Sequence, residues 1–319
     1  MWGVTALAGS NPAPSASFIM FPIAAAAIIL TNLHDRLPAD AADKNSARYA
    51  ATVAIETNLA GRTLNIFTTL DHTRAKYVRS STCWATGFDL SCVAVYNSYG
   101  MQFSTNGCCP WESASRRAGT LISPRHLIYA HHYTIPNGTQ LRFISRSNTI
   151  VTRTLTDSMQ ISNTDLQVGV LDANVPRSWI DFAKVLPANF THYFPASLDG
   201  IPALCFNQNQ EALISDIASL YPSATNATRI SFAMPADEAR KPFYRDKVSG
   251  DSSQPAFLIL NGQVVLLTVW TGGGGGIGGF IPGYVNEINA AMKKLGGGWR
   301  LTPVDLGRFT NYETVKCRP

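Results

Sequence analysis

The chain reads as an all-β protein with one C-terminal helix and an N-terminal leader. Three observations predict this: many short strand-like runs, two Asn-Gly turn signals between such runs, and almost no helical periodicity. Short apolar and β-branched runs, broken by Asn, Gly, Ser or Pro, suit a barrel or sandwich. They do not suit alternating strand and helix units.

Taken in order, the first 45 residues are alanine-rich and lack strand alternation. Phe18 to Leu30 is a 13-residue apolar run. A membrane span needs about 20 residues, so the run has the length of a signal-peptide core. Ala39-Asp40-Ala41 offers a small-residue cleavage site. Strand-like runs follow at Val53–Thr57, Thr63–Phe67, Cys92–Tyr96, Gly119–Ile122, Leu141–Ile144 and Ile150–Leu155. More follow at Gln167–Leu171, Ile201–Cys205, Ala256–Leu260 and Val264–Val269. Asn137-Gly138 and Asn261-Gly262 are expected to supply the positive φ angles of hairpin turns. Ala212 to Leu220 reads as a second helix or an edge element. The helix expected at Tyr284–Leu295 places Ile288, Met292 and Leu295 on one face, with Gly296 as its stop. Gly272 to Gly279 is glycine broken only by Ile277, and reads as a loop or a close backbone approach.

Composition narrows the function. Charged residues make up 15% of the chain, and the net charge is +5 with the basic residues scattered. No basic patch points to nucleic acid. The six cysteines lack CxxC spacing, so no zinc site is expected. Their even number fits disulfides in an oxidising compartment. Reduced buried thiols are the alternative. No cofactor or stable membrane span is expected, and the chain is expected to be a secreted monomer.

Three segments carry chemistry. Gly119-Thr-Leu-Ile-Ser-Pro-Arg-His-Leu-Ile-Tyr-Ala-His-His-Tyr133 holds histidines at 126, 131 and 132. Asp165-Leu-Gln-Val-Gly-Val-Leu171 begins with a carboxylate, and Gly250-Asp-Ser-Ser-Gln-Pro255 centres on Ser252. A serine hydroxyl needs an adjacent base, and histidine titrates near neutrality. A carboxylate can fix the imidazole's tautomer. His126 suits a structural role. His131 and His132 are adjacent and do not converge on one metal ion. Asp157 and Asp172 are the rivals to Asp165.

These segments resemble three motifs of the chymotrypsin-like (trypsin fold) serine peptidases. The first is similar to "GTLVSPRHVLTAAHC", matching at Gly119, Thr120, Leu121, Ser123, Pro124, Arg125, His126, Ala130 and His132. The second is similar to "DIALLKL" and the third to "GDSGGP". The resemblance implies two six-stranded antiparallel barrels spanning about residues 86–295. A leader (1–45), an extension (46–85) and a tail (296–319) flank them. It implies an endopeptidase acting on protein or peptide substrates, with His132 as base, Asp165 as carboxylate and Ser252 as nucleophile. Oxyanion donors fall on the backbone of Gly250 and Ser252. Asp246 then falls at the floor of the specificity pocket, where a buried carboxylate would favour Arg or Lys. Lys247 beside it could neutralise that charge. Trp270 falls in the segment that pairs with the substrate backbone, and the glycine run would line the pocket.

The chain departs from the motifs in three places. Tyr133 replaces a cysteine, and Ser253 and Gln254 replace two glycines. No activated N-terminal motif precedes the histidine segment, so Asp251 needs another partner. A non-catalytic binding module on the same fold is the alternative to an enzyme.

Overall fold

Alternation over short runs produces two sheets of six antiparallel strands. The structure is a computed structural model that describes residues 43–72, 74–95, 97–98, 116–195, 197–222 and 228–313. Most of the leader, Cys108, Cys109 and Cys317 lie outside the described residues.

Helix α1 (Ala47–Glu56) comes first, capped by the Ser46 hydroxyl, which accepts the Tyr49 N–H. A hairpin of β1 (Phe67–Asp71) and β2 (Lys76–Arg79) follows. β3 (Ala94–Val95) opens the first sheet. β4 (Asn97–Ser98) and β5 (Arg116–Arg117) make a separate small ladder. β6 (Thr120–Leu121), β7 (His126–Ala130), β8 (Gln140–Ile144), β9 (Ile150–Gln160) and β10 (Leu166–Leu171) complete the first sheet. Its order is β3-β8-β9-β10-β7-β6. Its edges meet where Val93 bridges Thr120 and the Leu121 N–H reaches the Cys92 carbonyl, so this barrel nearly closes.

The second sheet uses β11 (Pro202–Phe206), β12 (Ala212–Pro222), β13 (Thr228–Ala233), β14 (Pro255–Leu260), β15 (Gln263–Val269) and β16 (Ile277–Gly279). Its order is β15-β14-β11-β12-β13-β16, curled into a half-barrel. Leu213, Ile217, Ile230, Leu258 and Leu267 fill its interior, where Ala47 and Ala51 of α1 also pack. Helix α2 (Val285–Leu295) buries Ile288, Ala291 and Met292 and stops at Gly296, whose φ is +88°.

Several expectations need correction. Val53–Thr57 is not a strand, because Ala47, Ala51 and Ile55 recur at helical spacing and bury one face of α1. Ala212–Leu220 is strand β12, with Leu213 and Ile217 turned into the barrel. At the Asn261-Gly262 turn both residues have positive φ (+56° and +71°), as expected. At Asn137-Gly138 only Gly138 does (+88°), and the Thr139 N–H closes the turn on the Pro136 carbonyl. Cys83, Cys92 and Cys205 are buried free thiols, so none of the three is in a disulfide. Burial pushes the Cys83 thiol up to about 11, out of the range of a reactive thiolate.

A charged cluster ties α1 to the second sheet. The Arg240 guanidinium donates to Glu56 on α1 and to Asp216 on β12, the latter at 2.8 Å. All three side chains are under 10% exposed. Among the described residues no helix is long and apolar enough to cross a membrane. Two six-stranded antiparallel barrel-like sheets are compatible with a trypsin-like fold.

Candidate active site

The first barrel supplies a histidine and an aspartate, and the second supplies a serine. β7 ends at Ala130, and a single 3₁₀ turn (His131–Tyr133) redirects the chain. Asp165 stands immediately before β10, where Leu166 pairs with Ala130. The His131 N–H donates to the Asp165 carbonyl at 3.0 Å, which pins the turn to that strand.

The Asp165 carboxylate accepts the His132 main-chain N–H at 2.7 Å and faces His132 Nδ1 at 2.6 Å. A carboxylate can only accept, so Nδ1 carries the proton. Nε2 is then the acceptor, and it lies 2.9 Å from Ser252 Oγ. The hydroxyl thus donates to the nitrogen lone pair. The sequence-predicted trio of His132, Asp165 and Ser252 is one hydrogen-bonded chain. Asp157 and Asp172 are spent on main-chain N–H groups of Ser158, Thr154 and Ala173 instead. The relay is open, since the His132 side chain is 45% exposed and that of Asp165 is 29%.

The loop carrying Ser252 is held from below. Asp251 is 2% exposed and accepts the Gln208 and Val248 N–H groups, each at 2.9 Å. Burial raises its pKa, opposed by those two bonds and by the charge of Lys247. Its partners are therefore main-chain amides, with no cation within ion-pair distance among the described residues. Gly250 has φ +97°. The Gly250 and Ser252 N–H groups donate to no group among the described residues. Two main-chain donors of this loop are thus left unspent, and an oxyanion site requires such donors.

Ser253 and Gln254, the two departures from the motif, are both fully buried. Ser253 has φ +74°, and its Oγ accepts the Ala130 N–H at 3.0 Å. The sequence marks Ser253 only as a replaced glycine and carries no signal of this bond. The Gln254 carboxamide meets no hydrogen-bond partner among the described residues.

The specificity residues do not stand where expected. Asp246 is exposed and accepts the Tyr244 hydroxyl at 2.5 Å, so it is no buried pocket floor. Lys247 is the residue turned inward, at 3% exposure. Its Nζ donates to the Arg245 carbonyl at 2.9 Å and lies 5.2 Å from the Trp270 ring centroid. Trp270 cannot pair with a substrate backbone. Its N–H donates to the Gln254 carbonyl, and its carbonyl accepts the Ser253 N–H. The indole is 1% exposed and donates to the Phe206 carbonyl at 2.9 Å.

The glycine run is a tight hairpin over that indole. Gly272 bridges Ile277, and Gly274 pairs with Lys247 through both main-chain groups. A Cβ on Gly276 would sit 2.6 Å from Trp270 Cζ3, and one on Gly275 would collide with the Phe232 carbonyl. Glycine is needed because the chain passes this close.

His126 is fully buried against the Ser123 hydroxyl at 2.9 Å, and burial lowers its pKa. His131 turns toward Gln167, with Nδ1 2.6 Å from Oε1, away from Ser252. No group of His, Cys, Asp and Glu among the described residues could hold a metal ion. No protein-family model matches the chain, and no curated protein matches it.

Proposed function

We propose that the chain is a serine endopeptidase with Ser252 as nucleophile, His132 as general base and Asp165 as the carboxylate that orients it. The observation carrying this reading is the unbroken relay from Asp165 through His132 to Ser252 Oγ, beside two unspent N–H donors.

The chemistry follows from the geometry. Ser252 Oγ attacks a substrate carbonyl carbon as His132 Nε2 takes the hydroxyl proton. The Asp165 carboxylate stabilises the imidazolium that forms. Negative charge developing on the carbonyl oxygen is met by the Gly250 and Ser252 N–H groups. His132 returns the proton to the leaving amine, which departs and leaves an ester on Ser252. Water, deprotonated by the same nitrogen, then hydrolyses the ester and restores the hydroxyl. In the free protein His132 is half exposed, so the docked substrate must exclude water from the relay.

The exposed Asp246 lends nothing to a preference for basic side chains. Export is read from the apolar run Phe18–Leu30 and the small-residue site Ala39-Asp40-Ala41, and the three described cysteines, as free thiols, add nothing to it. A non-catalytic binding module on the same fold is the second reading, since the glycine run expected to line a specificity pocket packs instead on the buried Trp270 indole. Incubation of the full chain with fluorescently quenched casein and a mixed peptide library separates the two. Cleavage that disappears in S252A supports the enzyme. Peptide binding without cleavage, equal in S252A, supports the module.

A further inference from the structure

Ser253 holds a backbone conformation that its own Cβ disfavours. Its φ is +74° and it is fully buried. Glycine adopts that region freely, whereas other L-residues are strained there. What the side chain adds is a hydroxyl at one particular place. Its Oγ accepts the Ala130 N–H at 3.0 Å, while the Ser253 N–H donates to the Trp270 carbonyl at 3.0 Å.

Ala130 is the last residue of β7, two residues before His132. β6 runs out opposite Ile128, so that strand does not reach the Ala130 N–H. Ser253 directly follows Ser252 and leads into β14. One hydrogen bond therefore crosses between the barrels and joins the strand holding the base to the loop holding the nucleophile. Besides the Ser252–His132 contact itself, no other hydroxyl links these two segments among the described residues. Strained residues persist where surrounding contacts over-determine them, and such positions cluster at functional sites.

We propose that Ser253 is a positioning residue, whose hydroxyl fixes the approach of His132 Nε2 to Ser252 Oγ by clamping the end of β7. This rests on reading Ser252 as the nucleophile. The bond acts through Ala130 and touches no substrate. Small displacements between reacting groups cost far more rate than stability, so the clamp should appear in the chemical step.

The test compares S253G and S253A with the wild type in the full chain. S253G removes the hydroxyl and relaxes the backbone, while S253A removes the hydroxyl and keeps the strain. A fluorophosphonate probe reports the saturating rate of acylation and the half-saturating concentration separately. S253G trades relief of the positive-φ strain against an orphaned Ala130 N–H, so it is expected to melt above S253A, yet to react roughly 10- to 100-fold more slowly than the wild type at saturation. Its half-saturating concentration should stay within about two-fold. S253A should lose a similar factor despite a lower melting temperature. A wild-type rate in S253G overturns the proposal, as does a rate loss confined to the less stable S253A. If the wild type itself does not react at Ser252, the catalytic reading fails separately. The clamp is then read from the ¹⁵N shifts of the His132 ring, with S252A as reference. Shifts in S253G that move toward those of S252A support it, and shifts identical to wild type overturn it.

Discussion

Removing the Asp251 carboxylate should loosen the loop that carries Ser252 by a calculable amount. In D251A two main-chain donors lose their acceptor at once. The Gln208 N–H bond is buried, and the Val248 N–H bond is only partly so. An orphaned buried donor costs roughly 1–3 kcal/mol, and a bond to a charged group contributes about 1.5–3. Val248 is 57% exposed, so water can recover part of its loss. The sum is about 3 kcal/mol. D251N keeps one acceptor oxygen and should fall between D251A and the wild type. Burial holds the wild-type carboxyl above its ordinary pKa, so the fold binds its proton more tightly than the unfolded chain does. Wild-type stability from this group is then present in acid and declines as pH rises through the raised value. The deficit of D251A should accordingly be largest in acid and narrow toward neutral pH. On the proposed reading the loop also carries the oxyanion donors, the Gly250 and Ser252 N–H groups, and one misplaced donor costs about 10²–10³ in rate. Urea unfolding at several pH values, with probe acylation at neutral pH, measures both effects. A D251A protein within about 1 kcal/mol of wild type and acylated at the wild-type rate would refute the reasoning.

Other perturbations follow from the same structure. D165N leaves His132 Nδ1 facing an amide in place of a carboxylate, which should favour the wrong tautomer and lower kcat by about 10⁴ with KM little changed; steady-state kinetics on a cleaved peptide decides it. R240L strands Glu56 and Asp216 in a buried site and should cost about 3–5 kcal/mol at neutral pH. Burial already raises both carboxyls, and losing Arg240 raises them further. That deficit should shrink in acid, the reverse of D251A, and a pH series of urea melts reads it. G276A drives a methyl into the Trp270 ring at φ +108° and should destabilise by about 1–3 kcal/mol, seen as a lower melting temperature and altered tryptophan fluorescence.

What was legible in the chain, and what was not, follows the range of the interactions. The His132 segment and the strand after Asp165 are local patterns, and the structure places both where those patterns point. Helix α1 was hidden because Val53 and Ile55 look like strand residues. The Ser46 cap with Ala47, Ala51 and Ile55 at helical spacing was the available signal. β12 was obscured because its partners, β11 and β13, are set only by folding. Trp270 was out of reach for a sharper reason. Along β15, Val265 and Leu267 face the second barrel's interior, and strict alternation would send Val269 there too. The register with β14 shifts opposite Ala256 and Phe257, so Trp270 turns inward instead. A bulge of this kind inverts the faces downstream and leaves little trace in a short sequence window. Asp246 and Lys247 exchange their expected roles on a similarly small difference, one residue of phase in a short segment.

The proposed chemistry stands on Ser252 being a nucleophile activated by His132. Mass spectrometry of the full chain after reaction with a fluorophosphonate tests it most directly. One phosphonyl adduct is expected, mapped to the peptide containing Ser252, absent in S252A and strongly slowed in H132A. An unlabelled wild type, or an adduct that persists in S252A, would contradict it.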